Sequence, residues 1–155
     1  MGRLSLHQSG CYGRWTEPGR TGTHALRPIL RGTFDRLPGL TIILGHYGEG
    51  IPYMLPRIER NFPPYFTGVR REHWGPIRAN FYFAFGGWNW PYMFEIVRRT
   101  VGVGPILFST DYPYDPMEAG MRFLKLIEVS QDERELIAHG NAEALLRMWP
   151  RRWEC

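Results

Sequence analysis

Apolar residues recur at helical spacing at Leu26, Ile29, Leu30, Phe34 and Leu37, and Pro38-Gly39 ends the run. Pro28 sits in this stretch, a residue tolerated within the first turn of a helix. The pattern then changes. Leu40-Thr41-Ile42-Ile43-Leu44-Gly45 is a short continuous apolar run with β-branched residues, as expected of a strand buried on both faces. A helical stripe follows at Ile51, Met54, Leu55, Ile58 and Phe62, with Pro52 suited to the first turn and Pro56 set to disturb the interior. Residues 63–80 are rich in Pro and Gly and read as a long loop. Asn80-Phe81-Tyr82-Phe83-Ala84-Phe85 predicts a second strand, a helix runs from about Pro91 to Val101, and Pro105-Ile106-Leu107-Phe108-Ser109 predicts a third strand. Asp115-Pro116-Met117-Glu118 has the form of a capping box opening a helix that buries Met117, Met121, Leu124 and Ile127. Ser130-Gln131-Asp132-Glu133 forms a second box, and Asn141 is placed to cap a last helix through Leu145, Leu146 and Met148. Residues 1–20 lack periodicity and read as an irregular lead-in. Residues 21–150 read as one domain, and 151–155 as a tail.

Strands alternating with helices of this length imply parallel βα units and an α/β fold. Three strands are too few for a closed (β/α)8 barrel, which needs eight strands and about 250 residues. A doubly wound remnant and part of a barrel both fit the pattern.

Composition narrows the function. The chain has 155 residues, 43% hydrophobic and 22% charged, a globular balance. The net charge of +4 raises nucleic acid as a partner, but the Arg residues are scattered, and only Arg70-Arg71 and Arg151-Arg152 are adjacent pairs in expected loops. A phosphate-tracking surface is therefore set aside. No apolar run is long enough to span a bilayer, and the N-terminus lacks a signal-peptide pattern, so the expectation is a cytoplasmic protein without membrane partners. Cys11 and Cys155 lack metal-ligand spacing and read as free thiols.

The polar residues of interest directly follow the expected strands, where parallel βα folds gather catalytic groups. His46 and Glu49 follow the first, in Leu44-Gly45-His46-Tyr47-Gly48-Glu49-Gly50, and Asp111 follows the third, in Phe108-Ser109-Thr110-Asp111-Tyr112-Pro113. Asp111 is a candidate ligand for a divalent metal. His46 can ligate or move protons, and Glu49 can orient its ring. Trp88-Asn89-Trp90 follows the middle strand and can line a pocket or cover a barrel end. Each residue also has a bland reading: His46 as a hydrogen-bonded structural residue, Asp111 as a turn former. Their shared place after buried strands favours function. His24, His73 and His139 read as structural or solvated.

Three blocks of residues carry a resemblance. Thr23-His24-Ala25-Leu26-Arg27, Phe34-Asp35-Arg36-Leu37-Pro38 and Ile42-Ile43-Leu44-Gly45-His46-Tyr47-Gly48-Glu49-Gly50-Ile51-Pro52 together resemble one stretch of the amidohydrolase-related decarboxylases. Ile106-Leu107-Phe108-Ser109-Thr110-Asp111-Tyr112-Pro113 is similar to their last-strand motif, and Gly140-Asn141-Ala142-Glu143-Ala144-Leu145-Leu146 to their C-terminal helix. The match covers roughly residues 21–148. The resemblance implies the C-terminal half of a distorted TIM barrel, strands six to eight with terminal helices, and a divalent metal, zinc or manganese, at its mouth. It implies that Asp111 ligates the metal, that His46 serves proton transfer or substrate contact, and that Glu49 supports it. Trp88 and Tyr112 are taken as substrate contacts. The implied reaction is non-oxidative loss of carbon dioxide from an aromatic or related carboxylic acid, with hydrolysis, which some relatives perform, as the alternative.

The chain also departs from the family. Nothing matches the metal-binding pair of the family's first strand, and His7 does not lie in the surroundings of the His that follows the fifth. Pro28 and Pro56 replace helix formers. Three readings remain: a working enzyme whose half-barrel is completed in a homo-oligomer or by another chain, a non-catalytic fragment kept for interaction, and, with little support, a nucleic-acid binder.

Overall fold

A computed structural model describes residues 9–62 and 74–147, with side chains from Arg20 onward except at 74 and 76. His7, His73, Arg70-Arg71, Met148, the tail 151–155 and the thiols of Cys11 and Cys155 lie outside these residues and side chains. The described elements are α1 (Ser9–Leu30), α2 (Thr33–Arg36), β1 (Ile42–Leu44), a 3-10 turn (His46–Gly48), α3 (Ile51–Asn61), α4 (Trp74–Asn80), β2 (Phe81–Ala84), α5 (Pro91–Val101), β3 (Ile106–Leu107), α6 (Met117–Leu126), α7 (Gln131–Glu135), a π-helical turn (Leu136–Gly140) and α8 (Asn141–Leu145). The α/β order is as expected.

The three strands form one parallel sheet in the order β1-β2-β3. Phe83 pairs with Leu44 on one side and with Ile106 on the other, so β2 is the central strand. Phe81, Phe83 and Phe85 are all buried and set the core. Phe81 meets Phe34 with ring centroids 5.2 Å apart, and Phe85 meets Phe123 at 5.4 Å and Phe108 at 5.5 Å, both edge-on. Such offset and edge geometries are what ring quadrupoles favour. On the far side of β3, the Phe108 N–H donates to the Ile137 carbonyl of the π-helical turn.

Two buried asparagines tie down the starts of the outer strands. Asn80 Nδ2 donates to the carbonyls of Pro38 and Leu40, both at 2.8 Å, just before β1. Asn141 Nδ2 donates to Val103 at 3.0 Å and to Ile106 at 2.9 Å, at the entry to β3. A buried carbonyl without a donor is costly, and each side-chain amide serves two of them.

Several expectations are corrected. The stretch from Ser9 to Arg20 is helical, not an irregular lead-in. Its sequence argues against a helix, with Gly10, Gly13, Pro18 and Gly19. Tertiary packing anchors the C-terminal part through buried Gly22, Ala25 and Ile29. A Cβ on Gly22 would lie 3.6 Å from Ile51 Cγ1, so α1 packs on the start of α3. Pro28 then falls in the last turn of α1, not in a first turn, and Gly32, with φ 64°, separates α1 from α2 where one helix was expected. The end of the supposed loop 63–80 is α4. β1 is not buried on both faces, because Ile43 is 52% exposed. Pro56 stays within α3 by facing solvent while Ile51, Leu55 and Ile58 face the core.

The polar caps also differ. No side chain caps α6, whose N-cap is Pro116, so Asp115 opens no capping box. Its buried positions are Gly120 and Phe123, with Ile127 just beyond, whereas Met117 and Met121 are each 49% exposed. Asn141 caps nothing and serves β3 instead. The Ser130/Glu133 box is present, with the Glu133 N–H donating to Ser130 Oγ at 3.2 Å and the Ser130 N–H to Glu133 Oε2 at 3.0 Å.

Two predictions follow from the packing and this cap. Phe83→Ala should lower stability by about 3–5 kcal/mol, as for a large aromatic removed from a core, whereas exposed Tyr53→Ala should stay within about 0.5 kcal/mol; urea unfolding midpoints compare them. Glu133 is held below its ordinary carboxylate value, first by the Ser130 N–H and also by the Arg98 guanidinium. A value depressed by folding adds stability above the unfolded-state value and loses it as the pH falls through the folded-state value. Wild type should therefore exceed Glu133→Gln in stability near neutral pH, and the gap should narrow in acid.

Candidate functional site

Because the strands are parallel, the segments that follow β1, β2 and β3 emerge at the same end of the sheet. After β1 the chain turns sharply: the Gly48 N–H bonds the Gly45 carbonyl at 2.8 Å, and the Glu49 N–H bonds the His46 carbonyl at 3.0 Å. His46, Tyr47 and Glu49 all have left-handed backbone, with φ of 48°, 54° and 51°. Asp111, after β3, has φ 65°. Each non-glycine residue in that region costs roughly 1–2 kcal/mol. Four of the five such residues described lie in these two loops, a concentration of strain that marks functional sites.

His46 and Asp111 come together across β2's exit. A Cβ placed on Gly87 would lie 2.8 Å from Asp111 Oδ2 and 3.2 Å from both Cε1 and Nδ1 of His46. Gly87 is thus the gap between the carboxylate and the imidazole, and its own φ of 78° also favours glycine. His46 Nδ1 lies 2.6 Å from the Gly86 carbonyl oxygen. A carbonyl only accepts, so Nδ1 carries a proton, and in the neutral ring the lone pair is then on Nε2. Anchoring one ring nitrogen on a carbonyl is how ligating and proton-transferring histidines are oriented. The sequence reading assigned that orienting role to Glu49. Glu49 is half-buried in the same left-handed turn.

The other candidates are placed less centrally. Trp88 is half-buried and packs against the core, its N–H bonded to Phe85 at 3.0 Å. Tyr112 is 70% exposed. Sequence reasoning passed over Gly86, Gly87 and Ser109, although a Gly-Gly pair directly after a strand was visible. It also passed over Tyr47, whose ring stacks at a tilt on Phe85 with centroids 6.0 Å apart. Burial drives the Tyr47 phenol far above its ordinary value, so it stays neutral, and its hydroxyl has no hydrogen-bond partner among the described residues. Two clefts formed by described residues lie along α6, one lined by Pro116, Met121 and Lys125 and the other by Met121, Leu124 and Arg134.

As metal donors, the residues fit in kind. A carboxylate oxygen and an imidazole nitrogen are suitable ligands for a divalent ion. They fall short in number: among the described residues no three His, Cys, Asp or Glu side chains gather, and a catalytic ion takes about three protein ligands.

The amidohydrolase family pattern matches residues 2–148. The chain belongs to the amidohydrolase family. It is 32% identical over 141 residues to a γ-resorcylate decarboxylase of Polaromonas sp. strain JS666, covering 86% of this chain and 42% of that one. It is 34% identical over 140 residues to a decarboxylase of Emericella nidulans, covering 82% and 40%. Among solved structures, 5-carboxyvanillate decarboxylase from Sphingomonas paucimobilis superposes with a TM-score of 0.78 at 31% identity, covering 84% of this chain and 40% of that one. 2,6-Dihydroxybenzoate decarboxylase in complex with 2,6-dihydroxybenzoate superposes with a TM-score of 0.81 at 30% identity, covering 94% and 49%. A dihydroxybenzoic acid decarboxylase from Polaromonas sp. JS666, at 29% identity and a TM-score of 0.79 over 94% and 48%, carries manganese and the inhibitor 2-nitroresorcinol. The chain therefore spans less than half the length of these relatives.

The site geometry predicts the effect of filling the Gly87 gap. Gly87→Ala should cost about 1–2 kcal/mol in backbone strain alone and push Asp111 and His46 apart. Gly39→Ala, where a Cβ meets nothing within 4 Å, is the control. Urea unfolding of the two variants checks the first effect, and a crystal structure of Gly87→Ala the second.

Proposed function

We propose that this chain is the C-terminal part of a metal-dependent carboxy-lyase that removes carbon dioxide from an aromatic or related carboxylic acid. The observation that carries the reading is the convergence of His46 and Asp111 on Gly87, with His46 Nδ1 held on the Gly86 carbonyl. The decarboxylase relatives, two of whose solved structures hold manganese or an aromatic acid, support the reaction class and a divalent metal. On this reading the sheet corresponds to strands six to eight of a (β/α)8 barrel.

Asp111 would hold the ion, manganese or zinc. When bound, the ion supplies positive charge that fixes the substrate carboxylate and a neighbouring oxygen. The chain's own work is proton handling. As the carbon–carboxylate bond breaks, the ring carbon must gain a proton; Nε2 of His46 takes up a proton from solvent and delivers it there. Glu49 supports the His46 turn. Trp88 and Tyr112 would offer aromatic surface to the ring, Tyr112 once another part of the barrel covers it. The further ligands and strands of a complete barrel lie outside the described residues, and a homo-oligomer is one way to supply them.

Metal content and solution mass test this directly, together with carbon dioxide release from 2,6-dihydroxybenzoate and 5-carboxyvanillate. About one metal per chain in a discrete oligomer is expected, with turnover. Asp111→Ala should abolish the metal and cut kcat/KM by more than about 100-fold, beyond the range of changes outside the ligand shell. A metal-free chain without turnover would overturn the enzyme reading and leave a family member that has lost catalysis. Release of an alcohol or amine from an ester or amide, without carbon dioxide, would instead favour hydrolysis.

A further inference from the structure

We propose that Ser109 and the Gly86-Gly87 turn act together as a positioning device that selects the tautomer of His46. The inference deepens the reading of His46 as a site residue and rests on it, but it concerns a property of the ring measurable without turnover.

The turn that follows β2 is closed by the Trp88 N–H donating to the Phe85 carbonyl at 3.0 Å. Gly87 at its third position has φ 78°, whereas Gly86 at its second is not left-handed. That combination is a type II turn. A type II turn differs from a type I turn mainly by rotation of the central peptide, here the one joining Gly86 to Gly87. In the observed form the Gly86 carbonyl points at His46 Nδ1, 2.6 Å away. Flipping that peptide would withdraw the carbonyl and turn an N–H toward the ring. Nδ1 would then have to accept, and Nε2 would carry the proton. One peptide orientation thus decides which nitrogen can serve as base or ligand.

Two glycines in succession leave that orientation weakly determined by the local chain. Ser109, arriving from β3, supplies what the glycines lack. Its Oγ accepts the Gly86 N–H at 2.6 Å, and a Cβ on Gly86 would sit 2.7 Å from that same oxygen and 2.7 Å from the Asp111 N. The hydroxyl therefore holds one side of Gly86 while the carbonyl on its other side holds His46. The same short segment of chain carries Asp111 two residues later, so the clip sets the carboxylate and the imidazole relative to each other.

The test is nitrogen NMR of histidine-labelled protein with the rings neutral, the His46 signals being assigned by their loss in His46→Asn. In wild type, Nδ1 should resonate as a protonated nitrogen and Nε2 as an unprotonated one. Ser109→Ala should collapse that separation toward the average of two tautomers, and Ser109→Thr, which keeps the hydroxyl, should restore it. Ser109→Val, which matches the threonine variant in shape but lacks the hydroxyl, should not. A wild-type ring protonated on Nε2 overturns the proposal, as does a wild-type pattern in folded Ser109→Ala or Ser109→Val. If none of the variants folds, the wild-type Gly86 amide decides: slow hydrogen exchange supports the clip, and fast exchange overturns it. An Nδ1-protonated ring in a chain without decarboxylation keeps this positioning and removes only the enzymatic reading.

Discussion

The parallel direction of the three strands is the constraint on which the rest of the molecule depends. Parallel pairing requires a crossover between successive strands, which α3 and α4 with their connection provide between β1 and β2, and α5 between β2 and β3. It also sends every strand exit to one end of the sheet. His46, Gly86-Gly87 and Asp111, far apart in sequence, become neighbours for that reason alone. The opposite end is given to stability: there Asn80 and Asn141 each satisfy two carbonyls at a strand entry. This division between a strained, polar exit end and an entry end tied down by side-chain amides is the one seen in βα barrels.

Strain and close approach at the exit end are linked. Left-handed backbone at His46, Tyr47, Glu49 and Asp111 persists only if the surroundings over-determine it. The surroundings do so with backbone rather than bulk. Gly48 lets the turn sit against the Phe83 ring, where a Cβ would approach within 2.9 Å, and Gly86 and Gly87 let the three exits meet. The buried phenylalanines of β2 hold the floor beneath them, so the core and the site are one construction rather than two.

Parts of the sheet and of its exit loops are exposed. Ile43 on β1 is half exposed, and Tyr112 and Tyr114 stand 70% and 83% exposed beside Asp111. Aromatic surface of this kind next to a polar cluster suits either a substrate or a further part of the barrel. The chain covers only 42% and 49% of the length of two of its relatives. Among the described residues, no helix is long and apolar enough to cross a membrane.

Much of this was legible in the residues themselves. Short apolar runs at Ile42–Leu44, Phe81–Ala84 and Ile106–Leu107, rich in β-branched and aromatic residues, identified the strands. Polar residues directly after them pointed to His46 and Asp111, which the fold brings to either side of Gly87. The Ser130 capping box was readable too, since it depends on residues three apart. What the sequence could not determine depends on contacts between distant segments. The helix from Ser9 contradicts its own Gly and Pro content, and only packing of its far end against α3 accounts for the anchored part. Asn141 looks like a cap until β3 presents two carbonyls to it. The partner that orients His46 is a backbone carbonyl forty residues away, and a backbone carbonyl has no sequence signature. Local pattern therefore determined the elements and the chemical types at their ends; tertiary structure alone decided which of those groups meet and which nitrogen of His46 meets a backbone carbonyl, because both depend on peptide orientations fixed across the sheet rather than along the chain.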